Sequence, residues 1–276
     1  MKSQDITTGF QAVDKGQSDF LVNFLADANQ IPSVLDCLGE QLRWLAIQPG
    51  NYILDIGCGI GDQASEMAKK VGPSGKVIGT DLSETMIKIS KQRHAASGLP
   101  LTFQTANATE QPFENESFDI LRTERVLMYV HDLSKAFREF NRLLKSGGKL
   151  LVFDFDWDAL TISHTNKALT RKIVEFISDG FPRGRVGAEL LDYFKDFAFN
   201  DIRIKAAGYT TQIEFARQVI GGTIAKGVEE GIFIEKEINE WWIHLEEKQQ
   251  KGSFLISFNG FIVMGKKNYA SGSGRQ

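Results

Sequence analysis

The sequence predicts an α/β protein, a doubly wound and mostly parallel sheet of seven strands carrying helical lid insertions. Three observations carry the prediction. Between residues 49 and 155, near-continuous apolar runs alternate with helical patterns, as expected when helices cover both faces of a parallel sheet. The first run ends in Asp55-Ile-Gly57-Cys58-Gly59-Ile-Gly61 and passes directly into a helical stretch. That strand–turn–helix order gathers backbone N–H groups and a helix N-terminus around a ligand. After Phe155 the rhythm breaks, and the last two strand patterns are separated by a long helical segment.

Residues 1–48 read as an N-terminal helical cap. Phe20, Leu21, Phe24 and Leu25 have the spacing of an amphipathic helix, and a second helix is expected from Ser33, read as its N-cap, to about Ala46. Pro49-Gly50 turns the chain into the first strand, Tyr52 to Leu54, and Asp62 to Lys70 is the next helix. Lys76 to Thr80 is a strand ending at Asp81, with Ser83 capping a helix that runs to Arg93. Leu101–Thr105 and Phe118–Leu121 are the third and fourth strands. Leu133 to Leu144 is a helix closed by Ser146-Gly147-Gly148, and Lys149 to Phe155 is the fifth strand. Residues 49–155 are thus the expected ligand-binding core.

The remainder of the sheet is expected within residues 156–267. Helices are read at about Thr165–Ser178 and Gly187–Phe197, a strand at Asp201–Ala206, and helical sequence over 212–250. Phe254 to Met264 is the last strand. Two strands joined by such an excursion fit a hairpin-like sheet edge, with lid insertions at about 156–200 and 210–252. Residues 268–276 read as a disordered tail.

Composition narrows the function. The 276 residues are 42% hydrophobic and 24% charged, with a net charge of −3. That is ordinary for a globular protein and carries no nucleic-acid footprint, which would be basic and clustered. No apolar run is long enough to span a bilayer, and the N-terminus lacks the apolar core of a signal peptide, so a cytoplasmic protein is expected. Two cysteines, Cys37 and Cys58, are too few for a disulfide framework. No His/Asp/Glu grouping has metal-ligand spacing, so no metal is expected.

The glycine pattern separates two ligand classes. Counted from Gly57 as the first position, a dinucleotide fingerprint needs glycine at the sixth, and Asp62 stands there. A phosphate loop is excluded because no Gly-Lys-Ser/Thr follows. Asp-x-Gly-x-Gly-x-Gly resembles instead the first motif of the class I S-adenosylmethionine-dependent methyltransferases. The resemblance continues in order through Asp81, Asn107-Ala108-Thr109, the Pro112-Phe113 and Ser117-Phe118-Asp119 segments, and the turn Arg122-Thr123-Glu124-Arg125-Val126-Leu127. The core is similar to the quinone-biosynthesis methyltransferases, and Asp156-Trp157-Asp158-x-Leu160 looks like a small-molecule branch.

The resemblance implies a Rossmann-like methyltransferase fold that binds S-adenosylmethionine. Asp55, Gly57, Cys58, Gly59, Gly61 and Gln63 would face its amino-acid and ribose portions. Asp81, Leu82 and Met86 follow the second strand, where a carboxylate can accept both ribose hydroxyls. By itself Asp81 fits any ribose-bearing cofactor, or a helix cap. Asn107, Ala108 and Thr109 would meet the adenine, with Asn107 a departure from the more usual Asp. Arg122 and Thr123 would pass the methionine end.

A sulfonium methyl is already activated, so positioning supplies much of the rate, and an O–H acceptor gains from a base. His131 is the leading base or positioning candidate, with Asp156 and Glu124 as competitors; the bland alternative for His131 is a polar residue at a helix start capped by Asp132. Phe20, Phe24, Trp157, Phe181, Trp241 and Trp242 could wall an apolar acceptor site, although adjacent tryptophans on a helix also read as core. The expected activity is methyl transfer to N or O of a small apolar or aromatic metabolite. The alternatives are C- or O-methylation of a quinone or lipid-like precursor, a protein of this fold that binds S-adenosylmethionine without transfer, and, more distantly, a nicotinamide oxidoreductase. The expected partner is the small-molecule acceptor, with no nucleic acid; the oligomeric state is open between monomer and homodimer.

Overall fold

The computed structural model describes residues 6–10, 13–15 and 18–269; of the tail expected at 268–276, residues 270–276 lie outside them. The chain opens with α1 (Ile6–Gly9), a 3-10 turn at Val13–Lys15, α2 (Ser18–Ala28) and α3 (Pro32–Leu45). The alternating core follows: β1 (Tyr52–Ile56), α4 (Asp62–Val71), β2 (Lys76–Asp81), α5 (Glu84–His94), β3 (Leu101–Thr105) and β4 (Phe118–Glu124). A 3-10 turn at Leu127–Tyr129 leads to α6 (Leu133–Leu143) and β5 (Leu144–Phe155). Beyond it come a 3-10 turn at Trp157–Ala159, β6 (Thr161–Ile162), α7 (Lys167–Asp179), α8 (Val186–Asp196), β7 (Phe199–Thr210), α9 (Ile213–Glu229), α10 (Glu235–Gln250) and β8 (Ile256–Lys267).

One sheet organises these elements. Its order is β3-β2-β1-β4-β5-β8, parallel as far as β5 and antiparallel from β5 to β8. β7 pairs antiparallel with the other edge of β8, from Phe199↔Lys267 to Thr210↔Ser257. The expected hairpin-like edge is therefore present, with α9 and α10 inserted between its strands. The seven expected strands are joined by an eighth, β6, whose two residues continue the β5 side of β8. The chain leaves β1 first toward β2 and then toward β4, so the order reverses at β1 and a crevice opens beyond its carboxyl end.

Local chemistry explains most boundaries. Ser83 Oγ accepts from Met86 N at 3.1 Å and Asp132 Oδ1 from Lys135 N at 2.8 Å, the two expected N-caps. Asn166 caps α7 in the same way, which starts that helix two residues later than Thr165. Ser33 does not cap α3: Ile31 stands at the N-cap and Pro32 occupies the first turn, where its fixed φ suits a helix and its missing N–H leaves nothing unpaired. The helical sequence over 212–250 is broken into α9 and α10 at Gly231, which sits at φ +73. α6 buries Leu133, Ala136, Phe137, Phe140 and Leu143, a 3-and-4 spacing that turns one face to the sheet. Each buried Leu or Phe contributes about 1.5–3 kcal/mol.

Candidate functional site

A cavity of ≈ 500 Å³ opens at the carboxyl ends of the central strands. Its polar half is lined by Asp55, Gly57, Cys58, Gly59, Gln63, Asp81, Leu82, Met86, Asn107, Ala108, Thr109 and Arg122. Gly57, Gly59 and Gly61 all adopt left-handed φ, at +73, +53 and +85, which a side chain resists. A Cβ on Gly57 would also lie 2.1 Å from Val126 Cγ2, and one on Gly61 2.6 Å from Phe103 Cζ. The loop is tied to the end of β2 by Gly57 N and Cys58 N, which donate to Thr80 O at 2.7 and 2.9 Å. Asp81 ties it again: its carboxylate accepts from Gly59 N at 2.9 Å and from Ser83 N at 3.0 Å. Burial pushes the Asp81 carboxyl above its usual range, against the pull of those two bonds. Each of its oxygens keeps lone-pair capacity for a further donor. Asn107 Oδ1 accepts from Thr109 N at 2.9 Å and from the Thr109 hydroxyl at 3.0 Å, which fixes the loop after β3.

Beneath the loop lies a buried ionic cluster. Register pairs Asp55 on β1 with Arg122 on β4. Arg122 donates to Asp55 at 2.8 Å, to Gln41 of α3 at 3.0 Å, and to Glu124. Glu124 is held a second time by Arg125 Nε at 3.1 Å. All three Arg122 nitrogens are thus engaged by the protein. Burial raises the Asp55 carboxyl despite Arg122.

The turn after β4 forms the wall between the two halves. Arg125 has φ +57, a left-handed conformation unusual for a residue with a side chain. Asp154, fully buried on β5, accepts from Val126 N at 3.1 Å and Leu127 N at 2.7 Å.

The other half of the cavity is apolar. Ile6, Phe10, Phe24, Ile31, Val34, Tyr129, Phe155, Trp157, Tyr209, Phe215, Val219 and Phe258 contribute to it. Phe24 stacks on Phe215 with centroids 5.3 Å apart, joining the N-terminal cap to α9. The cap also reaches the polar half. Asp14 accepts from the Ser83 hydroxyl at 2.7 Å and from Glu84 N and Thr85 N at 3.2 and 3.1 Å. Leu25 Cδ1 stands 3.1 Å from where a Gly59 Cβ would be.

Several sequence-derived candidates stand away from the cavity wall. Trp241 is 1% exposed and donates to Thr170 Oγ1 at 3.0 Å; Trp242 packs edge-on against it and under Arg217. Both are core residues, because α10 turns them toward α7 and α9. Phe181 stacks behind Trp157 at 4.6 Å, and Phe20 packs on Phe24 at 6.1 Å. Gly61 is the N-cap of α4 and Thr123 is buried in β4, so neither reaches the wall. Asp156 also lies off the wall, with a buried Oδ1 and a carboxyl raised by burial and then by Asp158. Of the proposed bases, His131 and Glu124 do line the cavity. His131 is exposed, and its carbonyl accepts from Arg183 Nη2 at 3.2 Å. Residues absent from the sequence reading include Asn29, Phe10, Tyr209, Phe215, Val219 and Phe258. Their apolar or amide character gave no signal until the helices were docked.

Comparison with known proteins agrees with this geometry. A family described as "Methyltransferase domain" matches residues 47–189, which is more than half of the chain. A ubiquinone/menaquinone biosynthesis C-methyltransferase of Bordetella parapertussis is 39% identical over 110 residues, 40% of this chain and 43% of that one. A 2-phytyl-1,4-naphtoquinone methyltransferase of Synechococcus elongatus is 33% identical over 141 residues, 46% of this chain and 60% of that one. The chain thus spans about half the length of these curated relatives. A solved structure of Haemonchus contortus phosphoethanolamine N-methyltransferase 2, bound to phosphomonomethylethanolamine and S-adenosylhomocysteine, superposes with a TM-score of 0.61. It is 21% identical and the match covers 93% of this chain and 59% of that one, a likeness of fold. With the Asp-x-Gly-x-Gly-x-Gly loop at a cavity in a sheet of this order, and the family match spanning that loop, the chain belongs to the class I S-adenosylmethionine-dependent methyltransferases.

Proposed function

We propose that this chain transfers a methyl group from S-adenosylmethionine to a small, uncharged, apolar or aromatic acceptor. The observation that carries the reading is that one cavity joins a glycine-cradled polar half to an aromatic half. Among the described residues that line it, the two arginines are already ion-paired, Arg122 to Asp55 and Glu124 and Arg125 to Glu124. Neither of these two guanidinium groups is left over for an anionic acceptor such as a phosphate ester.

The polar half fits the cofactor on two observations of its own. Gly57 and Gly59 hold left-handed φ on the cavity wall, so the loop presents peptide backbone without side chains there, and Asp81 keeps acceptor capacity on both oxygens. Asp81 would take the ribose hydroxyls, Asn107 to Thr109 the adenine, and the Gly57–Gly59 loop with the turn after β4 the methionine end. When bound, the cofactor supplies a methyl already activated by the sulfonium. The protein then has to align the acceptor, strip water and, for an O–H acceptor, receive a proton. Phe24 and Phe215, stacked on each other in the apolar wall, would offer ring surface to a flat acceptor and exclude water. His131 is the residue we assign to the proton. Glu124 is less suited because it is already paired with Arg122 and Arg125, and Asp156 is off the wall. Residues 1–48 and the insertions at 156–200 and 210–252 act as cap and lid around the acceptor.

A second reading, C- or O-methylation of a quinone-type ring, is favoured by the neutral aromatic chamber and by what the two curated relatives are named for. Calorimetric titration of S-adenosylmethionine and S-adenosylhomocysteine against wild type and Asp81→Ala comes first. Micromolar binding, weakened at least tenfold by the substitution (about 1.4 kcal/mol), supports the assignment; no heat with either ligand refutes it. A radiolabelled methyl-transfer screen of phenols, aromatic amines and naphthoquinols then separates the readings by product. Tight cofactor binding with no transfer to any of them would favour a protein that binds without transferring.

A further inference from the structure

We infer that Asp154, outside the cavity wall, is a positioning residue that sets the turn against which the methionine end of the cofactor rests. The inference rests on the methyltransferase reading and deepens it. Three independent features meet at this turn. Arg125 is held in the left-handed region at φ +57, a conformation that costs a side-chain-bearing residue about 1–2 kcal/mol. Such strain persists only where its surroundings enforce it, and it clusters at functional sites. Val126, the next residue, is wedged against Gly57, with its Cγ2 2.1 Å from where a Cβ would sit. The position of Val126 therefore determines how far the glycine loop can move.

Arg125 N is held by Phe153 O at 2.9 Å, and the peptide N–H groups that follow it are held by one carboxylate. Asp154 Oδ2 accepts the N–H groups of Val126 at 3.1 Å and Leu127 at 2.7 Å, while Oδ1 accepts Phe155 N at 3.1 Å. Asp154 is 0% exposed and its partners are backbone N–H groups, with no cation among them. On the opposite strand it faces Phe261, and the neighbouring Gly260 leaves no room for a side chain against its carbonyl. The charged groups on the elements around it are otherwise engaged. Glu124 is bound to Arg122 and Arg125 on the β4 side, and Arg185 at the start of α8 is bound to Asp158. Asp156 lies two residues on, just past the end of the strand, beside Glu189 of α8.

A buried carboxylate whose bonds all come from peptide N–H groups fixes a turn most firmly when ionised, because charge-assisted bonds are about twice as strong as neutral ones. Burial without a counter-cation pushes the Asp154 carboxyl up to about 7. The ionised, turn-fixing form is therefore lost on mild acidification. The fold survives this loss, since protonation relieves the cost of burying the charge, while the turn's bonds weaken and the methionine subsite loosens.

The test measures affinity for S-adenosylhomocysteine and for 5′-methylthioadenosine, which lacks the amino-acid portion, from pH 8.5 to 5.5. Wild type should bind S-adenosylhomocysteine about tenfold more weakly at the acid end, with 5′-methylthioadenosine unchanged. Asp154→Asn should give a flat profile near the acid-limb value of the wild type, and His131→Gln should keep the wild-type slope. A flat wild-type profile overturns the proposal. So does an equal slope for 5′-methylthioadenosine, a slope that survives Asp154→Asn, or one abolished by His131→Gln. If Asp154→Asn does not fold, the wild-type comparison of the two ligands with His131→Gln still decides. Failure of both ligands to bind at every pH would instead refute the methyltransferase reading itself.

Discussion

Replacing Gly57 with alanine tests whether the glycine loop is shaped by its contact with the turn after β4. Two effects add at this position. An alanine at φ +73 is destabilised by about 1–2 kcal/mol relative to a right-handed conformation. Its methyl would also stand 2.1 Å from Val126 Cγ2, an overlap that one of the two chains must relieve. Overpacking of this kind costs roughly 1–3 kcal/mol, and here Val126 yields poorly because Asp154 holds its N–H. Gly57→Ala should therefore lower the unfolding free energy by roughly 2–5 kcal/mol and weaken S-adenosylhomocysteine at least tenfold. Urea unfolding and calorimetry on the same preparation measure both. Adding Val126→Ala isolates the parts: the steric share, roughly 1–3 kcal/mol, should return, and the backbone share should remain. A single variant within 0.5 kcal/mol of wild type, with unchanged ligand affinity, would refute the account. So would a double variant no better than the single one.

Three further outcomes follow from the ionic groups. Arg122→Met should destabilise by about 3–5 kcal/mol, because Asp55 and Glu124 would stay buried without Arg122; a loss below 1 kcal/mol in chemical denaturation would contradict the cluster. Asp14→Ala removes three bonds at the start of α5 and should cost at most about 1 kcal/mol, since the site is exposed and screened. Those bonds hold the Asp14 carboxyl below its usual range. The difference between wild type and Asp14→Ala should therefore be present above about pH 4 and vanish as pH falls through the lowered value. Dissociation of S-adenosylhomocysteine should also quicken in stopped-flow measurements, and an unchanged rate would separate the cap from cofactor retention. Asp154 acts with the opposite sign. Its carboxyl is raised to about 7 in the folded chain, so its contribution to stability is complete below about pH 4 and is lost as pH rises to about 7. The loss is on the order of 4 kcal/mol. Asp55 and Asp81, also raised by burial, add to the decline; the portion removed by Asp154→Asn in pH-dependent urea melts is the test, and identical slopes would refute it.

The alternation of β1 to β5 with helices, and the crevice beyond β1, were legible because local rules fix them. A strand covered on both faces has to be apolar throughout, and a loop that turns back on itself at left-handed φ has to be glycine. Ser83 and Asp132 were legible for the same reason, since an N-cap bonds within three residues of itself. The ligand-side positions that follow each strand, such as Asp81 and Asn107, inherit their place from that alternation and from the sheet order.

The partners that lie far apart in sequence were decided only in three dimensions. Arg122 reads as a cofactor contact from its place at the end of β4, yet the β1–β4 register and the docking of α3 engage it with Asp55, Glu124 and Gln41. Trp241 and Trp242 read as walls of a pocket, and the orientation of α10 makes them core, because helical periodicity marks an apolar face without saying what it meets. The apolar half of the cavity is built from Phe10, Phe24, Trp157, Tyr209, Phe215 and Phe258, which approach one another only when the N-terminal helices, α9 and the antiparallel edge pack together. Asp154 carries no local signal at all within its apolar strand. By itself the sequence determined the sheet, the glycine loop and the class of cofactor, through interactions between near neighbours. Tertiary packing decided which charges are neutralised, which aromatics line the cavity and which carboxylate holds the turn, because each depends on burial and long-range register that no local pattern encodes.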